Sequence, residues 1–213
     1  MKSLLTFKLH LATAGLAAAL VAGGCSMMAP KAERYVAPPL GSTWTQAQRN
    51  TGSYGSGTVQ VPFKRGERMW EGKLMGAIES PQQVILAASD GGWAVILSPD
   101  GKPLISYDPP LNYNYPLVVG KTWTSSHRMT VIAKNQVFPF DATYKIEAYE
   151  DVTVPAGTFK AFKISFSSMG SQDLYWFVPE FGIFAKQSLR RTDKSGYGPG
   201  TREVELVFQS IKK

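Results

Sequence analysis

Short alternating segments separated by turn signals run through most of this chain, and they restrict its fold more than any other feature. About ten such segments lie between residue 40 and the C-terminus, with a turn signal roughly every ten residues. Phe162, Ile164 and Phe166, for example, fall on one face of a segment in which the intervening residues are polar. A sustained helical period is hard to find. The pattern predicts an all-β, antiparallel domain with at most a minor helix.

One apolar and one polar face on each strand predict a sheet that curves around a single core. We expect a strongly curved antiparallel sheet or an open barrel of about ten strands, and a two-sheet β-sandwich is the alternative. Residues 67–78, ERMWEGKLMGAI, are interpreted as one continuous segment. Pro99-Asp100-Gly101 predicts one of the clearest hairpin turns in the chain.

A Gly-x-Thr-Trp-Thr motif occurs twice and indicates where two halves of the domain begin. The motif is GSTWT around Trp44 and GKTWT around Trp123, and each copy is followed by strands that end in a Trp, a Pro and a turn glycine. This repetition predicts two related β-meander halves, residues 41–112 and 116–213, although chance similarity over five residues explains it equally well. In both cases the two tryptophans are expected to anchor strands in the core.

The N-terminus has the features of a secretion signal. Lys2 and Lys8 come before an apolar stretch of about a dozen residues, Leu11–Ala22, which is shorter than the ~20 residues that a membrane-spanning helix needs. Small residues then lead to Cys25, the only cysteine of the chain. A basic start, a short apolar stretch and small residues are typical of a secretory signal.

The residues around Cys25 resemble the lipobox of bacterial lipoproteins, in which a small residue precedes a lipid-modified cysteine. The resemblance implies cleavage between Gly24 and Cys25, a diacylglyceryl group on the Cys25 thiol, and an acyl chain such as palmitate on the new N-terminus. Ser26 in place of Asp implies the outer membrane of a Gram-negative bacterium, with the domain facing the periplasm. Ala22 stands where Leu is commonest in this family. An ordinary secretory signal with an incidental cysteine is the alternative.

The predicted organisation is therefore a removed signal peptide, residues 1–24, a lipidated N-terminus with a flexible tether, residues 25–40, and one all-β domain, residues 41–213. Loss of the signal peptide lowers the net charge from +7 to +5. The remaining basic residues that cluster do so only in pairs, which falls short of a nucleic-acid-binding tract. We expect a membrane partner through the lipid and no nucleic acid.

The second half of the chain carries a series of motifs in a fixed order. GKTWT is followed by VPAGTF, which contains Pro155 and Gly157, and then by WFVPEFG, which contains Pro179 and Gly182. Over about residues 115–190 this series resembles a family of bacterial envelope proteins of unknown function. Such proteins are similar to the curved-sheet lipoprotein carriers (LolA/LolB-like), a likeness of fold that implies no activity. Proline presets φ and glycine takes positive φ, so these four residues are predicted to form turns.

Residues able to carry out catalysis or to bind a metal are few. His127 is the only histidine after Cys25, and Ser125 and Ser126 precede it in the sequence. Neighbouring residues on a strand point to opposite faces, so this adjacency does not make a catalytic triad. We expect His127 to be a surface or half-buried strand histidine. The sequence contains no HExxH motif, Cys/His cluster, calcium-loop spacing or glycine-rich phosphate loop. We therefore expect no enzymatic activity, no metal and no cofactor.

One segment is typical of a binding loop. Residues 107–117 contain three prolines together with Tyr107, Tyr113 and Tyr115, and rigid loops with tyrosines suit contacts with proteins or glycans. The alternative is that these tyrosines fold back and cap an end of the barrel. The sequence thus predicts a lipid-anchored, non-enzymatic binding or envelope-assembly module. A carrier of a lipid or acyl chain in the concave face of the sheet, and an enzyme that modifies envelope polymers, are the alternatives.

Overall fold

A computed structural model describes residues 29–211, which form a closed antiparallel β-barrel. The signal peptide, the Gly24–Cys25 bond and the lipidation site at Cys25 lie outside the described residues. No helix within residues 29–211 is long and apolar enough to span a membrane. The strands are β1 (Lys31–Ala32), β2 (Thr43–Gly52), β3 (Gly57–Trp70), β4 (Lys73–Glu79), β5 (Val84–Ala87), β6 (Trp93–Leu97), β7 (Pro103–Leu111), β8 (Leu117–Val118), β9 (Thr122–Val131), β10 (Gln136–Val154), β11 (Gly157–Ser168), β12 (Ser171–Val178), β13 (Ile183–Arg191) and β14 (Gly200–Gln209).

The barrel is a meander in which neighbours along the chain are also neighbours in the sheet. β2 to β7 form its first six strands, β9 to β14 form the other six, and β7 pairs with β9. Pairing of β14 with β2 closes the barrel, while the short strands β1 and β8 pair with each other outside it. A 3-10 turn, Ile132–Lys134, connects β9 to β10.

The all-β, antiparallel prediction is confirmed. The expected strongly curved sheet or open barrel of about ten strands is corrected to a closed barrel of twelve strands. Part of the difference lies in residues 67–78, which are two strands and not one. Glu71 and Gly72 both have positive φ, 47° and 76°, and such a pair makes the tight two-residue turn that joins antiparallel strands. The hairpin predicted at Gly101 is present, with φ of 87° and its amide donating to the Ser98 carbonyl at 2.9 Å.

The two GxTWT motifs lead into β2 and β9, the first strand of each six-stranded half. Trp44 is 4% exposed and its ring stacks on Phe63 with centroids 5.7 Å apart. Trp123 stacks on Tyr144 at 4.9 Å. Both tryptophans therefore lie where neighbouring strands contribute aromatic rings to the interior.

Strand alternation fills the barrel with the residues that the sequence pattern places on one face. Ile146, Phe162 and Ile164 are fully or almost fully buried on the paired strands β10 and β11. Burial of one such side chain contributes about 1.5–3 kcal/mol to stability. The interior is thus held mainly by the same residues whose spacing predicts the strands.

The two predicted glycine turns have the expected form. Pro155 and Ala156 connect β10 to β11, with Gly157 at φ of 130°, and the Ala156 amide donates to the Leu206 carbonyl of β14 at 3.1 Å. Pro179 begins the turn between β12 and β13, where Gly182 has φ of 64° and donates to the Val178 carbonyl at 2.9 Å. Both turns set the direction in which the following strand returns.

The described part of the predicted flexible tether is packed against the barrel. Residues 31–40, called the strap below, begin as β1, which pairs with β8 and buries Ala32. The strap contacts three connections between strands, residues 88–92, 112–121 and 179–182. All three lie at one end of the barrel, and together they are called the strap rim. The absence of a periodic pattern in this segment did not indicate disorder, because an extended chain can dock through a few contacts at irregular spacing.

Glycines of the strap rim make room for the strap. A Cβ atom on Gly182 would lie 2.0 Å from the Val36 carbonyl oxygen, and one on Gly91 would lie 2.7 Å from the ring of Tyr35. Real Cβ atoms do not approach other atoms so closely. The strap backbone and the Tyr35 ring therefore occupy space that only glycine leaves free.

Candidate functional site

A cavity of about 360 Å³ lies inside the barrel. Side chains of the strap, of the strap rim and of strands from both halves of the barrel line it, among them Tyr35, Asp90 and Trp44. This volume falls within the range of roughly 300–1,000 Å³ that is usual for small-molecule pockets. The cavity is therefore large enough to hold a small molecule.

Aromatic rings form a large part of the cavity wall. One group of these rings is called the aromatic wall: Tyr113, Tyr144, Phe166, Tyr175, Phe177 and Phe184. Tyr113 is at their centre and meets Tyr144 and Phe177 edge to face, with centroids 5.7 and 5.8 Å apart. Such edge-to-face packing holds the rings in fixed orientations. The wall therefore offers a preformed apolar surface.

The polar lining is concentrated on three adjacent strands. Gln46 and Gln48 on β2, Gln187 on β13 and Arg202 on β14 face the cavity, and they are called the polar strip below. Gln46 Nε2 donates to the Phe184 carbonyl at 3.3 Å. Across the sheet, Val204 pairs with both Gln48 and Gln187, so the two amides lie on either side of one valine. The amides and the guanidinium of the cavity lining are thus concentrated on one side, opposite the aromatic wall.

Arg202 supplies the positive charge of the polar strip. Its Nε donates to Asn50 Oδ1 at 2.7 Å, and its guanidinium lies 4.7 Å from the centre of the Tyr54 ring. Burial lowers the pKa of Arg202, and nearby Arg191 lowers it further, while Tyr54 acts in the opposite direction. None of the ion pairs among residues 29–211 involves Arg202. The side chain is held in place by neutral groups.

Acidic side chains near the lumen have their own hydrogen-bond donors. Burial raises the pKa of Asp173, whose carboxylate accepts from the Arg190 amide and from the Tyr175 hydroxyl, both at 3.0 Å. Asp90, in the strap rim, accepts from the Gly92 amide at 2.9 Å and from Asn112 Nδ2 at 2.6 Å. Both carboxylates therefore serve to order the protein's own backbone and side chains.

All three tyrosines of the predicted binding loop are partly buried, and Tyr113 and Tyr115 are the two that turn inward at the barrel end. Tyr107 belongs to β7 and its ring lies edge-on to Phe140 at 5.7 Å. Tyr113 and Tyr115 line the cavity, and burial raises the pKa of both hydroxyls. Among the described residues the Tyr115 hydroxyl has no hydrogen-bond partner.

The polar strip is the part of the site that the sequence analysis missed. Residues 43–50 read TWTQAQRN, so Gln46, Gln48 and Asn50 alternate in phase with the core residue Trp44. Amide side chains on the core face of a strand are a signal of a lined cavity, because buried polar groups need partners. Arg202 carried no such signal, since its place in the lumen depends on the pairing that closes the barrel.

His127 is buried, not at the surface or half-buried as expected. Its Nδ1 lies 2.8 Å from the Pro109 carbonyl oxygen and its Nε2 lies 2.8 Å from Ser125 Oγ. Ser125 is two residues away and so shares a strand face with His127, whereas Ser126 points elsewhere. Neither Ser125 nor His127 lines the cavity. No group of three or more His, Cys, Asp or Glu in the described part of the chain is placed to hold a metal.

No protein-family model and no curated protein matches this chain, and the resemblance of residues 115–190 to an envelope-protein family stays a prediction. Solved structures give a fold likeness. An exported-protein candidate from Bacteroides fragilis with a YmcC-like fold is 12% identical, with 84% of this chain and 99% of that chain covered and a TM-score of 0.48. A lipoprotein candidate from Parabacteroides distasonis is 8% identical over the same shares, with a TM-score of 0.44.

The hypothetical lipoprotein YmcC from Escherichia coli is 12% identical, with 81% of this chain and 84% of that chain covered and a TM-score of 0.33. All three TM-scores lie below 0.5. The function of this chain is therefore argued below from its own residues.

Proposed function

We propose that this chain is a non-enzymatic module of the bacterial envelope whose barrel lumen binds a small molecule with a large apolar body. The observation that carries the proposal is the cavity of about 360 Å³ with an aromatic wall and a polar strip. Protein interiors are normally close-packed, and small barrels fill their lumen with side chains unless they hold a ligand. The aromatic wall provides the burial energy, and the polar strip fixes the orientation of the ligand.

The predicted lipid anchor gives this lumen a location. Cys25 precedes Lys31, the first residue of the strap, by six positions, and six extended residues span at most about 20 Å. A lipid on Cys25 would hold the strap rim close to the membrane surface. We propose the periplasmic face of the outer membrane as that surface. An apolar ligand would then have only a short path between the bilayer and the lumen.

The proposal also accounts for the inward position of two of the three tyrosines in the predicted binding loop. Tyr113 and Tyr115 contribute to the cavity wall, which supports ligand binding inside the barrel over a protein or glycan contact on an exposed loop. Ser125 and His127 lie outside the cavity lining. The pair is a satisfied polar contact of the barrel interior and has no role in the proposed function.

Filling the cavity should abolish binding. We expect Gln48→Trp to weaken binding of 1-octanol at least tenfold, because the indole would occupy space between the polar strip and the aromatic wall. Arg49→Trp is the matched control, since Arg49 is the next residue of β2 and is exposed. Isothermal titration of the full chain in phosphatidylcholine nanodiscs, corrected with empty nanodiscs, measures both. If the wild type binds neither octanol nor octanoate, or if both variants bind like the wild type, lumen binding is wrong.

A further inference from the structure

We infer that the ligand is a single-chain amphiphile with a carboxylate head, that Arg202 binds the head, and that the aromatic wall receives the chain. The inference rests on the proposed function, because it names the class of molecule that the lumen takes. Among the described residues that line the cavity, Arg202 is the one basic residue.

The guanidinium of Arg202 is oriented but not neutralised. Asn50 accepts the Nε hydrogen and the Tyr54 ring lies beneath the guanidinium plane. The Arg202 side chain makes no other hydrogen bond within residues 29–211 and no ion pair there. An arginine has five N–H donors, so the outer nitrogens keep theirs for another acceptor. A planar carboxylate can accept two of them side by side.

The acids of the barrel do not compete for this position. Among the described residues, Asp90 is the one acidic residue in the cavity lining, and it belongs to the strap rim, where Gly92 and Asn112 already donate to it. The Asp173 carboxylate, outside the lining, accepts from the Arg190 amide and from the Tyr175 hydroxyl. Arg202 lies toward the other end, because it pairs with Asn50 near the end of β2 while the strap meets the barrel near the start of β2. The two charges are therefore at different depths in the lumen.

This placement sets the direction of the ligand. A carboxylate at Arg202 would lie close to the amides of Gln48 and Gln187. These two residues flank Val204, the next residue toward the strap rim on the same face of β14. The chain of the ligand would then run along the aromatic wall toward the strap rim. A partly buried arginine is weakly hydrated compared with an ammonium group, which favours pairing with an anion over pairing with water. A neutral alcohol head can accept a single hydrogen bond here, which a glutamine amide could equally donate, and a cationic head is repelled.

The test compares ligands of one chain length with different heads. Titrations of the full chain in phosphatidylcholine nanodiscs use octanoate, 1-octanol and octylammonium at monomeric concentrations. We expect octanoate to bind at least tenfold tighter than octanol, and octylammonium to bind more weakly than octanol. Arg202→Gln should weaken octanoate binding by roughly tenfold to a hundredfold, the usual effect of a hydrogen bond to a charged group. It should leave octanol binding within about twofold of the wild type.

Arg190→Gln is the matched control, since Arg190 lies on the neighbouring strand β13 with an exposed side chain and the same charge is removed. It should change neither affinity. Octanol binding shows that the lumen of a variant is intact. If Arg202→Gln binds neither octanoate nor octanol, Arg202→Lys is measured in its place. We expect the Lys variant to bind octanoate several-fold more weakly than the wild type and octanol with unchanged affinity.

The outcomes separate this inference from the proposed function. Equal affinity for octanol and octanoate, or octanoate binding that neither Arg202 variant changes, overturns the carboxylate assignment and leaves lumen binding in place. Failure of the wild type to bind any of the three molecules overturns both.

Discussion

Replacing Trp44 with alanine should lower the free energy of unfolding by about 3–5 kcal/mol, the usual cost of deleting a large buried aromatic side chain. Trp44 is 4% exposed, stacks on Phe63 and packs in a buried cluster that includes Val154 and Leu206. Its removal would leave a hole between β2, β3 and the tip of the β10–β11 hairpin. Urea denaturation followed by circular dichroism measures the loss as a shift of the midpoint.

Trp44→Phe is the conservative comparison. A phenyl ring retains the stack on Phe63 and most of the buried area, so we expect a loss about half as large or smaller. A loss below about 1 kcal/mol for the alanine variant would show that Trp44 is not a core anchor of the barrel.

Gly182→Ala should detach the strap from the barrel. The new Cβ would lie 2.0 Å from the Val36 carbonyl oxygen and 3.2 Å from Pro38 Cδ. The Val36 carbonyl belongs to the backbone, so it cannot move aside as the end of a flexible side chain can. We expect a loss of about 2–4 kcal/mol, which combines the positive φ of Gly182 with the steric clash. Hydrogen exchange should show faster exchange of strap amides, including those of the β1–β8 pair.

Gly101→Ala isolates the conformational part of this effect. Gly101 also has positive φ, 87°, but a Cβ there would meet nothing within 4 Å. We expect a cost of about 1 kcal/mol and unchanged exchange in the strap. If both alanine variants lose the same stability and the strap amides stay protected in both, Gly182 does not hold the strap in place.

The strands were predictable because each carries its own signal. Alternation such as Phe162, Ile164 and Phe166 places one face of a strand in the core whatever the partner strand is. The VPAGTF turn was predictable for the same reason, since Pro155 and Gly157 restrict their own backbone. The strands and this turn are determined by residues that lie close together in the chain, so the sequence alone indicates them.

The features that were missed depend on distant parts of the chain. Closure of the barrel joins Thr201 to Thr51, 150 positions apart, and no local pattern shows that two strands so far apart will pair. The turn between β3 and β4 could not be predicted from Glu71, because glutamate rarely adopts positive φ. The sequence of the strap is typical of a tether, because the contacts that hold the strap are made with loops 88–92 and 179–182, far along the chain.

The candidate site was predictable only in part, for the same reason. Tyr113 and Tyr115 were recognised as a cluster, but the sequence alone left open whether they face solvent or the interior. The amides Gln46 and Gln48 show their inward position through their phase with Trp44. Arg202 enters the lumen only because β13, β14 and β2 are adjacent in the closed sheet.

Photocrosslinking tests the central claim, that the lumen is the binding site, most directly. A diazirine analogue of octanoate would be irradiated with the full chain in nanodiscs, and the modified residues identified by peptide mass spectrometry. We predict saturable labelling of the aromatic wall, with Tyr113, Phe177 and Phe184 as the main sites, and its loss when excess octanoate is present. Labelling confined to exposed positions such as Arg49 and Arg190, or labelling that excess octanoate does not reduce, would contradict the account.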